Sequence, residues 1–273
     1  MKLRAGVTRY ILEGKHGLSM LEDAMAFSEE ILQTKKLSKH PDFLLIELGD
    51  KKELTVEDAM AVISKTAFAP VIGDYIVIVI DSFDSMNETA QNKLLKTLED
   101  EKRLYLILIS YGGRRILETV RSRCTLVRYL PISLLEWEKQ FPDKDSFCSY
   151  YATEGCPGEL VNKTALTELF KEVWRTFEAE SFENLLPVLH LLTEKDKDAV
   201  TASPYIPQIL TFLDVCALKQ LNTFQGDPIK RELYLRMEQL IGKNIESLGR
   251  RYAKENFFLL IANIVSLSKN GGI

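Results

Sequence analysis

The sequence predicts an α/β fold, a parallel five-stranded sheet with flanking helices followed by an all-helical part, and three observations carry that prediction. Short apolar runs alternate with helically spaced stretches over about the first 130 residues, the pattern of strands joined by crossover helices. One of these runs, Tyr75 to Ile80, is continuously apolar and mostly β-branched, as expected of a strand covered on both faces. After Pro131 such runs vanish, and helical segments punctuated by Pro and Gly take over.

In chain order the expected strands are Arg9 to Leu12, Phe43 to Leu48, Tyr75 to Ile80, Leu104 to Ile109 and Thr125 to Tyr129, with the third in the middle of the sheet. Leu18, Leu21, Met25 and Leu32 follow helical spacing, as do Ala90, Leu94, Leu95 and Leu98, so each set lays one apolar stripe on the sheet. Ser85-Met86-Asn87-Glu88 has the form of a capping box that starts the second of these helices. Beyond Pro131, Leu134 to Tyr151 and Pro157 to Ala165 read as a small helical unit. Longer amphipathic stretches follow from Leu166, broken near Pro187, Pro204, Pro207, Gly226 and Pro228, and Asn270 to Ile273 reads as a frayed end. The expected domains are therefore 1–130, 131–165 and 166–273, in line with a prior of roughly 150 residues per domain.

Composition excludes several classes. With 46% hydrophobic and 27% charged residues the chain reads as an ordinary globular protein, and no apolar run approaches the ~20 residues of a membrane span. Met1-Lys2-Leu3-Arg4-Ala5-Gly6 lacks a secretory pattern, so a cytoplasmic address is expected. Cys124, Cys148, Cys156 and Cys216 are scattered, without the close spacing of a zinc site, and read as structural thiols. A net charge of -4 gives no general attraction to nucleic acid, but Arg114, Arg115, Arg121, Arg123 and Arg128 face only Glu118 within their own stretch, a local basic patch.

The turn after the first strand is where a phosphate loop would lie, with backbone N–H groups and a helix N-terminus cradling the anion. Here it reads Gly14-Lys15-His16-Gly17-Leu18-Ser19-Met20-Leu21. Ser19 stands where the motif needs its second glycine, Met20 where it needs lysine, and Leu21 where it needs the hydroxyl that holds magnesium. The domain thus reads as a nucleotide-hydrolase type whose loop is broken and which hydrolyses no ATP by itself; no cofactor and no metal are expected. Lys15 and His16 leave open a weaker role in binding some other anion. At the end of the third strand, Asp81 has the position of a magnesium-orienting carboxylate, but Ser82 follows it where a second carboxylate is needed. Asp81 therefore reads as a hydrogen-bonding or helix-terminus residue.

His40-Pro41-Asp42-Phe43, Pro70-Val71-Ile72-Gly73-Asp74-Tyr75, the run Asn92 to Asp100, and Thr119-Val120-Arg121-Ser122-Arg123-Cys124, in this order and spacing, resemble the delta-prime subunits of bacterial DNA polymerase III clamp loaders, which belong to the AAA+ class. The resemblance covers about the first 130 residues. It implies an AAA+-like α/β domain, a small helical lid over 131–165 and an all-α collar over 166–273 for oligomerisation. It also implies that Arg123, the arginine of Ser-Arg-Cys, acts in trans on ATP held by a neighbouring subunit. The chain departs from the family pattern in lacking cysteines between Ile31 and His40, so no zinc module is expected and His40 reads as a loop histidine. Few residues precede the first strand, which leaves out the helix that helps hold adenine in relatives. Ser110-Tyr111-Gly112-Gly113 stands at the sensor position, and Gly155 to Leu160 resembles the start of the lid helix without a nucleotide-touching arginine.

The function implied is a non-catalytic subunit of a DNA polymerase III holoenzyme, a DNA-directed DNA polymerase assembly, serving in DNA replication. Its partners would be ATP-binding clamp-loader subunits and the delta subunit in a hetero-oligomer, with the sliding clamp and primed DNA reached through the complex and no membrane involved. Two alternatives stay open: an active AAA+ ATPase with an unusual phosphate loop, and an autonomous DNA-binding adaptor using the Arg114 to Arg128 patch.

Overall fold

The computed structural model describes residues 3–4, 6–112, 116–143, 145–185, 205–247 and 254–270. They form two compact units. The first comprises the chain up to Pro131 together with Cys156–Gly158, and the second runs over Ile132–Gly155 and from Glu159 onward.

The first unit is built on five parallel strands, β1 (Arg9–Glu13), β2 (Phe43–Ile46), β3 (Ile76–Ile80), β4 (Leu104–Ser110) and β5 (Thr125–Arg128). Their order across the sheet is β2-β3-β4-β1-β5, with Ile78 level with Leu106 and Ile11 level with Leu108. This is a parallel five-stranded sheet with flanking helices. The middle place belongs to β4, which is buried along its whole length, and β3 lies beside it, fully buried and paired on both edges.

Why an unbroken apolar run is required follows from the period-2 geometry of a strand. Ile76, Ile78 and Ile80 face one side, where they pack with Ala59 and Val62 of α2 (Val56–Thr66) and Ala90, Leu94 and Leu98 of α3 (Glu88–Asp100). Val77 and Val79 face the other, against Met20, Ala24 and Phe27 of α1 (Met20–Ile31). Neither face has room for a polar side chain, so alternation is absent from the sequence. Thr55 and Asp58 form a capping box at the start of α2.

One expectation is corrected at the start of α3. Its N-cap is Asn87, whose side-chain oxygen accepts from the Ala90 N–H at 3.0 Å. Ser85, two residues too early, sits in the 3-10 turn Phe83–Ser85, with its Oγ buried and lacking a hydrogen-bond partner.

Asp42, just before β2, is 1% exposed and braces the approach to β3: its carboxylate accepts from the backbone N–H groups of Val71, Ile72 and Gly73 at 2.6, 2.8 and 3.3 Å. Burial alone would push this carboxyl up, but the three N–H donors hold it below the usual aspartate range. His40 accepts from the Asp42 N–H through Nδ1 at 3.2 Å, a loop-ordering contact.

The second unit contains α5 (Leu134–Gln140), α6 (Ser146–Thr153), α7 (Thr164–Glu178), α8 (Ile206–Thr223), α9 (Pro228–Ser247) and α10 (Lys254–Asn270), while α4 (Glu118–Arg121) belongs to the first. Ser133 and Glu136 cap α5 reciprocally, at 3.3 and 3.1 Å. Pro207 and Pro228 stand in the first turns of α8 and α9, where a missing N–H costs nothing. Pro187, Pro204 and residues 271–273 lie outside the described residues. Phe147, Cys148 and Ala152, within 131–165, share one apolar cluster with Phe170, Phe212 and Tyr234, within 166–273. The Phe170 and Phe212 rings are stacked with centroids 4.1 Å apart.

Candidate functional site

Two places in the first unit bear on function, the turn between β1 and α1 and the segment after α4. At the turn, Gly14 is needed for close approach: a Cβ there would lie 2.9 Å from both Cβ and O of Tyr129. The Gly14 N–H donates to the Ser110 carbonyl at 3.1 Å, tying the turn to the end of β4. Gly17 has φ +78°, and its carbonyl accepts from the Gly158 N–H at 2.9 Å. A Cβ on Gly158 would meet the Gly17 Cα at 2.9 Å, so this close approach needs glycine at position 158.

At this turn Met20 is buried and Asp81 is bonded within the chain, while Lys15, His16 and Ser19 stay exposed. Met20, at the position where a lysine would reach for phosphate, is fully buried in the apolar cluster under the sheet, with Leu12 and Phe27. The His16 ring stacks on Tyr111 with centroids 3.8 Å apart and planes 13° from parallel. The Tyr111 hydroxyl donates to Asp81 Oδ1 at 2.8 Å, and its backbone N–H donates to Asp84 Oδ1 at 3.1 Å. The second Asp81 oxygen accepts from Ser82 Oγ at 3.3 Å, with Ser82 in a left-handed conformation at φ +54°. Burial, then the bond to the Asp81 carboxylate, pushes the Tyr111 phenol well above its ordinary value. Asp81 thus has both oxygens engaged with neighbours in its own chain.

The N-terminus of α1 carries Glu22 and Asp23 in its first turn, and Ser19 makes no side-chain cap bond. Those carboxylates complement the helix dipole that an anionic ligand would otherwise complement. Asp23 is further held by the Tyr129 hydroxyl, which donates to Oδ2 at 2.7 Å. Among the described residues no group of three or more His, Cys, Asp and Glu side chains is arranged to hold a metal ion.

At the second place, α4 and the residues after it aim two arginines in different directions. Arg121 turns to β1, where its Nη1 and Nη2 meet the Glu13 carboxylate at 3.1 and 3.5 Å; Arg128 reaches the same carboxylate at 3.9 Å. Arg123 turns to α3. Its Nε donates to Glu99 Oε1 at 2.7 Å, its Nη2 also meets that oxygen, and its Nη1 donates to the Thr119 carbonyl at 2.7 Å. The Arg123 side chain is 34% exposed and that of Glu99 48%. Cys124 packs against the sheet cluster instead, and burial pushes its thiol up to about 11.

The basic patch read from the sequence is therefore altered by the fold. Arg121, Arg123 and Arg128 each meet a carboxylate from a distant part of the chain, Glu13 or Glu99, which counting within the stretch overlooked. Arg114 and Arg115 lie outside the described residues. Tyr111, Glu99 and Glu13 are participants that the sequence does not announce. Tyr111 stood in a recognised sensor position and Glu99 in a recognised run, but neither position reveals a partner many residues away.

Residues 7–133 match the family described as "DNA polymerase III, delta subunit". A DNA polymerase III subunit delta' of Pseudomonas aeruginosa is 31% identical over 87 residues, 31% of this chain. The matched stretch spans 26% of that relative's length, about a quarter. A DNA polymerase III gamma subunit-related protein of Thermotoga maritima aligns over 96% of both chains at 12% identity and a TM-score of 0.43. A Bacillus subtilis DNA clamp loader delta protein aligns over 95% of both at 11% identity and a TM-score of 0.39. Likenesses at such scores carry no argument; the match over residues 7–133 spans all five strands, the turn between β1 and α1 and the Ser-Arg-Cys segment. The α/β domain of this chain is thus similar to DNA polymerase III delta-type subunits.

Proposed function

We propose that this chain is a non-catalytic clamp-loader subunit that hydrolyses no ATP itself and lends Arg123 to an ATP site on a neighbouring subunit. The observation that carries the reading is the contrast between a turn with Met20 buried and Asp81 bonded to Tyr111, and a partly exposed Arg123 on the same domain. A magnesium nucleotide at the turn would need a lysine where Met20 is buried and an Asp81 carboxylate free of Tyr111. A guanidinium is planar, always charged and presents five donors, which suits it to charge developing on a transferred phosphoryl group.

In this reading the partners are ATP-binding clamp-loader subunits and a delta subunit in a hetero-oligomer, with the sliding clamp and primed DNA engaged through the complex. The helices of 131–165 act as a lid and those of 166–273 as a collar. The setting is cytoplasmic DNA replication, and among the described residues no helix is long and apolar enough to cross a membrane.

Reconstitution with the ATP-binding subunits tests the proposal. Arg123→Ala is expected to assemble normally and to lower turnover at the served site by about 10³- to 10⁵-fold, or about 4–7 kcal/mol. Assembly with unchanged partner ATPase activity would show that Arg123 is no finger. Micromolar binding of magnesium ATP to the isolated chain, lost in Asp81→Ala, would restore the active-ATPase alternative.

A further inference from the structure

The run Asn92 to Asp100 contributes to the family resemblance, yet nothing in the function above uses it. Its outward-facing member Glu99, on α3, meets the guanidinium of Arg123. All three guanidinium nitrogens of Arg123 are engaged within the chain: Nε and Nη2 with Glu99, and Nη1 with the Thr119 carbonyl at 2.7 Å and the Ser122 hydroxyl at 3.4 Å. The fork that would face a γ-phosphate is folded back onto its own domain.

Resting on the finger reading of Arg123, we infer that Glu99 is a positioning residue, a clasp that holds Arg123 retracted until a neighbour's nucleotide competes for it. The physical case is a balance of two anions. Glu99 presents a single carboxylate oxygen to Nε and Nη2, on side chains a third to a half exposed, where water and salt weaken the pair. A nucleotide γ-phosphate carries more charge and more acceptor oxygens and displaces such a partner. Cys124, the next residue, is packed into the sheet cluster and fixes the backbone, so the exchange needs only side-chain rotation of Arg123. The clasp keeps the guanidinium ordered and off other surface anions, and its release subtracts from the binding of ATP at the served site.

Because release accompanies nucleotide binding and not the chemical step, loss of the clasp moves KM and leaves kcat alone. In the reconstituted complex, Glu99→Ala is expected to lower the apparent KM for ATP at the served site by about two- to five-fold, the range of an exposed ion pair, with kcat unchanged. The difference shrinks as salt is raised. Glu99→Gln, which keeps the shape and loses the charge, gives a smaller change in the same direction. In the Arg123→Ala background Glu99→Ala has no further effect, since Glu99 acts through Arg123. Circular dichroism of each variant confirms that it folds. A KM that is unchanged or raised in Glu99→Ala, while Arg123→Ala still abolishes stimulation, overturns the clasp and leaves the finger standing. If Arg123→Ala itself has no effect, the finger reading fails and the clasp with it.

Discussion

The turn between β1 and α1 and the segment after α4 are both held by their own chain, yet in opposite ways. At the turn, Met20 is wholly buried and Tyr111 is fastened by its ring, hydroxyl and backbone N–H together. Around Arg123 the partners lie at the surface, with the Arg123 side chain 34% and that of Glu99 48% exposed. In a low-dielectric interior a lost polar partner is costly, while an exposed ion pair contributes about 0–1 kcal/mol and exchanges easily. The difference teaches that burial, more than the number of contacts, separates side chains locked in place from side chains free to exchange partners.

The comparison breaks first at Arg123. Its loss should remove about 4–7 kcal/mol of transition-state stabilisation at the partner's ATP site. The same variant should change the chain's own stability by less than about 0.5 kcal/mol, as for surface substitutions generally. Urea unfolding of the isolated chain checks the second figure, and a loss of several kcal/mol would mean that Arg123 is a structural anchor.

Restoring the phosphate-loop lysine attacks the other side. Met20→Lys places an ammonium in the cluster with Leu12 and Phe27 and should destabilise the chain by about 3–5 kcal/mol, the cost of an uncompensated buried charge. It should bring no ATP affinity in equilibrium dialysis. A stable variant that binds magnesium ATP would show the turn to be only one residue away from a working site.

Asp42, which belongs to neither place, sets the scale for a fully buried brace. Asp42→Ala should cost about 2–3 kcal/mol, because three backbone donors lose a charged acceptor. Its depressed carboxyl gives the sign of the pH effect. The stabilisation is fully present above the unfolded aspartate value of about 4 and is lost as pH falls through the lower folded value. Acid titration of wild type against Asp42→Ala should therefore converge at low pH, and curves that stay parallel would remove Asp42 from the account.

The smallest effect is expected at Tyr111→Phe, which keeps the stack on His16 and deletes the hydroxyl that donates to Asp81. A loss of about 1–2 kcal/mol is expected by thermal unfolding, with faster hydrogen exchange at residues 14–18. No change in either would mean that Tyr111 covers the turn without fastening it.

Much of this molecule was legible because the governing signals are local. Apolar runs announced the five strands to within two residues, most plainly at β3, which is covered on both faces and tolerates no polar position. Pro131 marks the change from α/β to helical pattern; the first unit runs to it and also takes in Cys156–Gly158. The start of α3 was read two residues early, because Ser85 and Asn87 are both competent caps and only the backbone path around Phe83–Ser85 selects between them.

By itself the sequence determined the element types, the sheet's buried strands, the missing lysine and hydroxyl at residues 20 and 21, and the Ser122-Arg123-Cys124 segment. Tertiary structure alone decided that β4 takes the centre of the sheet, that Tyr111 lies between His16 and Asp81, and that Glu13 and Glu99 meet the arginines. The physical reason is range. Periodicity and capping act between residues a few positions apart, whereas Arg121 and Glu13 are separated by 108 positions and Arg123 and Glu99 by 24, so only the packing of β1, α3 and α4 brings those charges together.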